Sequence, residues 1–292
     1  MTPALLAQVM EATWPPARTQ HLGPWTIRDG AGGGKRVSAA TADGTWTEAD
    51  LAQAEAAMRA QGMRPLFLIR EGGGESAGRA GGAAGGGGGG VGGGERGGIG
   101  GAGAGGGASV SGGAGLGGGA GAGSGGGAGN GAALDTALAA RGYHIIDPVV
   151  AYACAAGGLA QPPGMTTFAH WPPLAIARDL WAEGGIGPAR LAVMDRVTGP
   201  KCAILARQAD RPAGVAFVAV SAGVAMLHAL EITPARRRQG SAQHIVQAAA
   251  GWALTQGAAT LSLVVTVANQ PARALYASLG MQAVGHYHYR QL

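Results

Sequence analysis

Arg237, Gly240 and Ala242 stand at a spacing that suits an anion. They follow an apolar run ending at Ile232, a turn at Thr233-Pro234 and the triplet Arg236-Arg237-Arg238, and they open a stretch of helical periodicity. The first turn of a helix carries unpaired N–H groups and a partial positive charge. Backbone amides from Gln239 through Gly240, Ser241 and Ala242 to Gln243 are therefore placed to grip a phosphate. Gly240 admits the oxyanion without a Cβ in the way, and Arg237 and Arg238 add charge. The competing account is a solvated basic turn.

Four further groups invite chemistry. Asn269 precedes Gln270-Pro271 and fits a helix N-cap with proline just inside. Tyr276 lies on the stripe Ala272, Leu275, Tyr276 and Leu279, where it is either core or reactive. His228 and Glu231 occupy one apolar strand at odd separation. Alternation then sends them to opposite faces, so at most one faces a substrate. His286 and His288 share a strand face without a third ligand in view, and no metal is expected.

The elements that must position these residues follow from pattern. Met1 to Thr13 reads as a helix stopped before Pro15-Pro16. Leu22 to Gly30 and Lys35 to Gly44 read as strands around the turn Gly30 to Gly34. Gly33-Gly34-Lys35 does not make a nucleotide loop. Asp29 stands where the first glycine belongs, Arg36 where serine or threonine belongs, and no helix follows. Thr47 caps a helix whose stripe is Leu51, Ala54, Ala57 and Met58, ending near Gly62. Pro65 to Arg70 is a strand, Leu134 to Arg141 a helix and Tyr143 to Ala153 a strand. Ala155 to Gly164 has linker composition.

The second unit starts at Met165. Its strands are expected at Thr166 to Trp171, Lys201 to Arg207, Gly214 to Ser221, Val224 to Ile232, Leu261 to Val267 and Met281 to Arg290. Its helices are expected at Pro173 to Glu183, Pro188 to Arg196, Gly240 to Gln256 and Ala272 to Leu279. The apolar stretch Pro212 to Leu230 is about as long as a membrane span, yet its internal turn at Ser221-Ala222-Gly223 makes it two buried strands.

Composition narrows the classes. Glycine accounts for 58 of 292 residues, and more than half of it lies between Gly72 and Gly131. That tract lacks a Gly-X-Y period and has little to bury, so it is read as a disordered insertion in a surface loop. The net charge of +5 suits an anionic ligand. Neither zinc spacing nor a basic run interleaved with aromatics argues for nucleic acid. Two cysteines, Cys154 and Cys202, and no signal-peptide start point to a reducing, cytoplasmic setting.

Arg237-x-x-Gly240-x-Ala242, with Asn269, Ala274-Leu275-Tyr276, Leu279-Gly280 and Gly285-His-Tyr-His-Tyr289, resembles the GNAT superfamily of N-acetyltransferases over Met165 to Leu292. The resemblance implies an α/β (α+β) acyl-CoA N-acyltransferase fold, a mixed central sheet flanked by helices. It implies acetyl-CoA as co-substrate, with its diphosphate on the 237–243 loop, and direct attack by a primary amine. It implies that the N–H of Ile232 polarises the thioester carbonyl, that Asn269 touches the coenzyme and that Tyr276 protonates the departing thiolate. Glu231 is the first candidate base, with Glu183 and a water chain as rivals. Trp181 and Glu183 are candidates for the acceptor groove, and the acceptor is a small amine or a peptide N-terminus. A non-catalytic acyl-CoA-binding module is the alternative.

The first half resembles a worn copy of the second. Leu134 to Tyr143 parallels Ala272 to Met281, Pro65 to Arg70 parallels Thr260 to Val265, and the helix from Thr47 parallels that from Gly240. Two tandem lobes are thus expected: a degenerate one at 1–154 holding the insertion 72–131, a linker at 155–164, and the transferase lobe at 165–292.

Overall fold

The computed structural model describes residues 1–71 and 128–292. Most of the glycine tract lies outside the described residues. Its last residues, from Ala128, already belong to a helix that begins earlier than Leu134.

The first half contains α1 (Pro3–Thr13), β1 (Arg18–Leu22), β2 (Trp25–Asp29), β3 (Thr41–Ala42), α2 (Glu48–Ala60), β4 (Leu66–Arg70), α3 (Ala128–Ala140) and β5 (His144–Ala155). The second contains β6 (Thr167–His170), α4 (Ala175–Glu183), α5 (Pro188–Arg196), β7 (Lys201–Gln208), β8 (Arg211–Ser221), β9 (Val224–Ile232), α6 (Ser241–Thr255), β10 (Thr260–Thr266), α7 (Gln270–Ser278) and β11 (Gln282–Gln291). The order strand, strand, strand, helix, strand, helix, strand thus occurs twice, as β1 to β5 and as β7 to β11. Among the described residues, no helix is long and apolar enough to cross a membrane.

The expected hairpin around Gly30 to Gly34 is corrected. The antiparallel pair is β1 and β2, turning at Gly23-Pro24, and Lys35–Val37 is a short 3-10 turn. The glycines serve another purpose. A Cβ on Gly33 would stand 2.4 Å from Val193 Cγ2, and one on Gly32 3.2 Å from the Ala189 Cβ. Residues 32–34 are small because the first half lies directly against α5.

The halves also share a sheet. Eight strands run β4-β11-β5-β10-β9-β8-β7-β6, while β1-β2-β3 form a smaller sheet. The last strand of each half pairs with the other half: β5 lies antiparallel to β10, β11 antiparallel to β4, and β5 and β11 pair with each other, second and third from the β4 edge. Strands covered on both faces read as continuous apolar runs, and Ala213 to Ala219 of β8 are buried throughout. α6 and α7 cover one face, around Ile204, Val218, Ile232 and Leu263. α4, α5 and α1 cover the other, around Trp181, Phe217, Met226 and Tyr287.

The two ends of the exchange are tied by charge. Asp135 of α3 accepts from Arg290 Nε at 2.8 Å and Arg290 Nη2 at 2.9 Å, both on β11. It also meets His288 Nε2 at 2.6 Å. Hydrogen bonds from Arg290, then from His288, hold the Asp135 carboxyl down to about 2. A carboxyl so depressed adds stability above its unfolded pKa of about 4 and loses it as pH falls toward 2. Asp135→Asn is therefore expected to cost on the order of 1–2 kcal/mol at pH 7 and to flatten the acid limb below pH ~4. Urea midpoints at pH 7 and pH 3 check this; an unchanged midpoint at pH 7 contradicts it.

Candidate active site

β9 and β10 begin as a parallel pair, registered from Val224 with Thr260 to Leu227 with Leu263. There the pairing stops, although both strands continue. On its other side β9 stays paired with β8 to Ile232, with an irregularity between Val215 and Phe217. Two residues of β9, Ala229 and Leu230, oppose the single Ala216. This is a β-bulge, and Ala229 sits in it at φ +50°. A bulge bends its strand away from a neighbour. Trp181 braces it by donating its indole N–H to the Ala229 carbonyl at 2.8 Å.

The gap opens into a cavity of about 550 Å³. Leu227–Leu230 form one side and Leu263–Thr266 the other. Leu227, Leu230, Leu263 and Tyr276 belong to the α6 and α7 face, while Trp14, Arg36, His228 and Tyr287 belong to the opposite one. The cavity is thus a slot through the sheet, reachable from both faces. Asn269 lines it and caps α7, accepting from the Ala272 N–H at 3.2 Å. Tyr276 lines it at 5 % exposure. Burial raises its phenol pKa, so the hydroxyl stays a proton donor.

The bulge also shifts side-chain parity. His228 pairs with Phe217 and Glu231 with Val215, so both point to the α1/α4 face. The expectation of opposite faces is corrected, because alternation fails across an inserted residue. Ile232 consequently turns into the α6-side core opposite Gly214 at 1 % exposure, and it does not line the cavity. Glu231 does not line it either. Its side chain fits beneath Gly184, where a Cβ would stand 2.4 Å from Glu231 Cγ, and it meets Arg237 Nη2 at 3.4 Å. Burial raises its pKa and Arg237 opposes the rise.

Arg237 is folded back in the same way, donating Nε–H to the Ile232 carbonyl at 3.2 Å. It clamps the turn from β9 to α6. Arg238, Gln239, Gly240 and Gln243 stay exposed. Gly240 takes φ +85° as N-cap of α6 and provides no capping side chain, and the Ser241 hydroxyl beside it is buried without a hydrogen-bond partner. The N-terminus of α2, its counterpart in the first half, is closed. There Asp50 accepts the Thr47 N–H at 2.8 Å and Thr47 Oγ1 accepts the Asp50 N–H at 3.2 Å. One helix start is filled by the chain's own carboxylate, and the other offers amides and an orphaned hydroxyl to an anion.

His228 is buried and stacks on Trp14, ring centroids 5.0 Å apart. Thr13 donates its hydroxyl to the Val9 carbonyl at 2.6 Å, so its oxygen accepts from His228 Nε2 at 2.9 Å. Nδ1 then accepts from Arg36 Nη2 at 3.3 Å. That network assigns the neutral Nε2–H tautomer. Burial and Arg36 lower the imidazole pKa well below its usual value. Both ring nitrogens are engaged, so His228 positions Arg36. Trp181 is fully buried and Glu183 is exposed away from the cavity. The groove on this face is instead built by Ile186, Arg190, Trp14 and residues 32–36. Sequence reading passed over Trp14, Arg36 and Arg190. The available signal was the alternation Tyr287-His288-Tyr289, whose tyrosines both line the cavity.

Residues 172–281 match the model of the acetyltransferase (GNAT) family, whose members are acyltransferases. No curated protein matches the chain. Among solved structures, it is similar to a GCN5-related N-acetyltransferase from Kribbella flavida, with 16 % identity, TM-score 0.62, and 100 % of this chain and 96 % of that one covered. It is also similar to a conserved protein of unknown function from Staphylococcus epidermidis, with 7 % identity, TM-score 0.57 and 98 % of each chain covered. A tandem GNAT protein from the clavulanic acid biosynthesis pathway, solved without AcCoA, matches at 12 % identity and TM-score 0.55, over 99 % of this chain and 88 % of its own. At these identities the likeness is one of fold, and it includes a two-lobed relative.

Gly184→Ala tests the packing behind the 237–243 turn. The added methyl must displace Glu231 from Arg237, so a loss of roughly 1–3 kcal/mol is expected. Amide exchange from Arg237 to Gln243 should quicken. Unchanged exchange there contradicts the clamp.

Proposed function

We propose that this chain, whose residues 172–281 form a GNAT-family domain, transfers an acetyl group from acetyl-CoA to a primary amine. The observation that carries the reading is the slot between β9 and β10, with Tyr276 and Asn269 on its wall and an uncapped helix start at Gly240 nearby in sequence. In this reading the amides of residues 239–243 and the Ser241 hydroxyl hold the diphosphate, and the pantetheine arm lies in the slot. The backbone freed at the bulge, Ala229 and Leu230, is better placed than Ile232 to direct an N–H at the thioester carbonyl.

The co-substrate supplies an activated acyl carbon. The amine enters from the α1/α5 face and attacks that carbon directly. A C–N bond forms, the C–S bond breaks, and the nitrogen's surplus proton leaves to water. Tyr276 delivers its proton to the departing sulfur and recovers one from solvent. Glu231 takes no part in this transfer, because it faces Gly184 and Arg237. The first lobe binds no coenzyme, since Asp50 occupies its helix start. The protein works in a reducing compartment, the cytoplasm, where Cys154 and Cys202 remain thiols. The one feature that favours a non-catalytic acyl-CoA-binding module is the absence of Glu231 from the cavity wall.

Titration with acetyl-CoA, followed by release of free thiol across an amine panel, separates the two readings. Micromolar binding with turnover supports the transferase, tight binding without turnover supports the binding module, and no binding contradicts both. Gly240→Asp places a carboxylate where the diphosphate sits and should abolish binding. Tyr276→Phe should lower kcat about 100-fold with the acetyl-CoA affinity little changed.

A further inference from the structure

Acyl transfer to an amine needs a group to take the proton that the attacking nitrogen sheds, and Glu231 does not line the cavity. The cavity wall narrows the choice. Its arginines stay protonated at any working pH. His228 has both ring nitrogens engaged, and burial lowers its pKa. Tyr276 serves the departing sulfur. Tyr287 and Tyr289 are hydrogen-bonded to each other, and burial raises the pKa of both phenols. Lys35 is a cation paired with Asp147. The carboxylates on the wall are Asp29 and Asp147. Asp29 closes a local turn by accepting the Ala31 N–H at 2.8 Å.

Asp147 is placed by a second bulge. Tyr287 pairs with Val149 and Tyr289 with Ile146, so Asp147 and Pro148 together oppose the single His288. Asp147 takes φ +43° there, a conformation costly for most side-chain-bearing residues and best tolerated by aspartate and asparagine. The same corner is fastened to the slot wall. The Pro148 carbonyl accepts the Val267 N–H at 2.7 Å, directly after β10. The carboxylate therefore lines the cavity beside the far end of Leu263–Thr266. Lys35 Nζ meets Oδ2, and among the described residues no hydrogen bond reaches Oδ1. An ionised carboxylate accepts several donors at once. The side chain keeps 36 % exposure, so water reaches it. We propose that Asp147 receives, through a cavity water, the proton that the amine loses as it attacks the thioester. The C–N bond forms and the C–S bond breaks. One nitrogen proton crosses to the water, the water gives one to Asp147, and Asp147 returns it to solvent. This rests on the acetyl-transfer reading of the same cavity. It gives the first half a part in the reaction, because Asp147 belongs to β5, the strand which that half places between β10 and β11.

The test uses the full chain and the amine that the thiol-release panel shows to be turned over fastest. Asp147→Asn should lower kcat/KM for that amine about 100-fold at pH 7, with acetyl-CoA affinity unchanged. The deficit should shrink to within about tenfold by pH ~9.5, where more of the amine arrives neutral and hydroxide takes the proton. Asp147→Gly also removes the carboxylate and suits a positive φ, so it keeps the fold and carries the same expectation. Lys35 and Arg36 on the turn after β2, and Tyr287 and Tyr289 on β11, are the charged and titratable groups at this corner. Lys35→Met therefore separates loss of the ion pair from loss of the proton acceptor. A loss below about threefold in the Asp147 variants, a deficit that does not change with pH, or an equal deficit in Lys35→Met overturns the proposal. So does a larger loss in Asp29→Asn, or a glycine variant that fails to fold. No turnover of any amine by the unaltered chain sinks the transferase reading and this inference together. Turnover indifferent to Asp147 sinks this inference alone.

Discussion

The site depends on one local departure from sheet regularity, the bulge at Ala229. A non-glycine residue at φ +50° is costly on its own. It persists because the Trp181 indole holds its carbonyl and because Gly214 lets β8 press against Glu231 and Ile232. Three consequences follow from the extra residue. β9 parts from β10 after Leu227, which opens a slot in an otherwise closed sheet. Side-chain parity reverses, which turns Ile232 into the α6-side core and Glu231 toward α4. Glu231 in turn is positioned to pin Arg237, and with it the turn that presents the start of α6. The gap between β9 and β10 and the pinned turn before α6 are therefore two ends of one distortion.

The second dependence is the sharing of strands between the halves. Because β5 sits between β10 and β11, the first half cannot be removed without dividing the sheet that holds β10. The exchange brings residues 29–38 over the open face of β9. The small residues at 32–34 then let that loop settle against α5, with Arg36 beneath. The first half has closed its own helix start with Asp50 and gives its surface to the other half's cavity.

How much of this was legible in the sequence depends on whether a feature is local. The helix capped by Thr47, the start of α6 at Gly240 and the Asn269 cap are set by residues three or four apart, and each forms where spacing put it. The repeat was legible for the same reason, since periodicity survives divergence. The bulge was not. Ala229 gives no composition signal, and one inserted residue overturns every later assignment on β9, which is why His228 and Glu231 were assigned to opposite faces. Gly32-Gly33-Gly34 stands out in the sequence, yet glycine reports only close approach or unusual φ. The partner, α5, lies more than 150 positions away. Arg36 and Trp14 were invisible as site residues because only the shared sheet carries the first half to the second half's cavity.

The central claim is that the gap where β9 leaves β10 holds an acyl-CoA arm, with the diphosphate at the amides of residues 239–243. A crystal structure with a non-hydrolysable acetyl-CoA analogue tests it most directly. The account predicts the pantetheine between Leu227–Leu230 and Leu263–Thr266, the thioester surrogate beside Ala229 and Leu230, and the sulfur position within reach of Tyr276. An analogue bound elsewhere with this gap closed by protein, or a diphosphate seated away from α6, contradicts it.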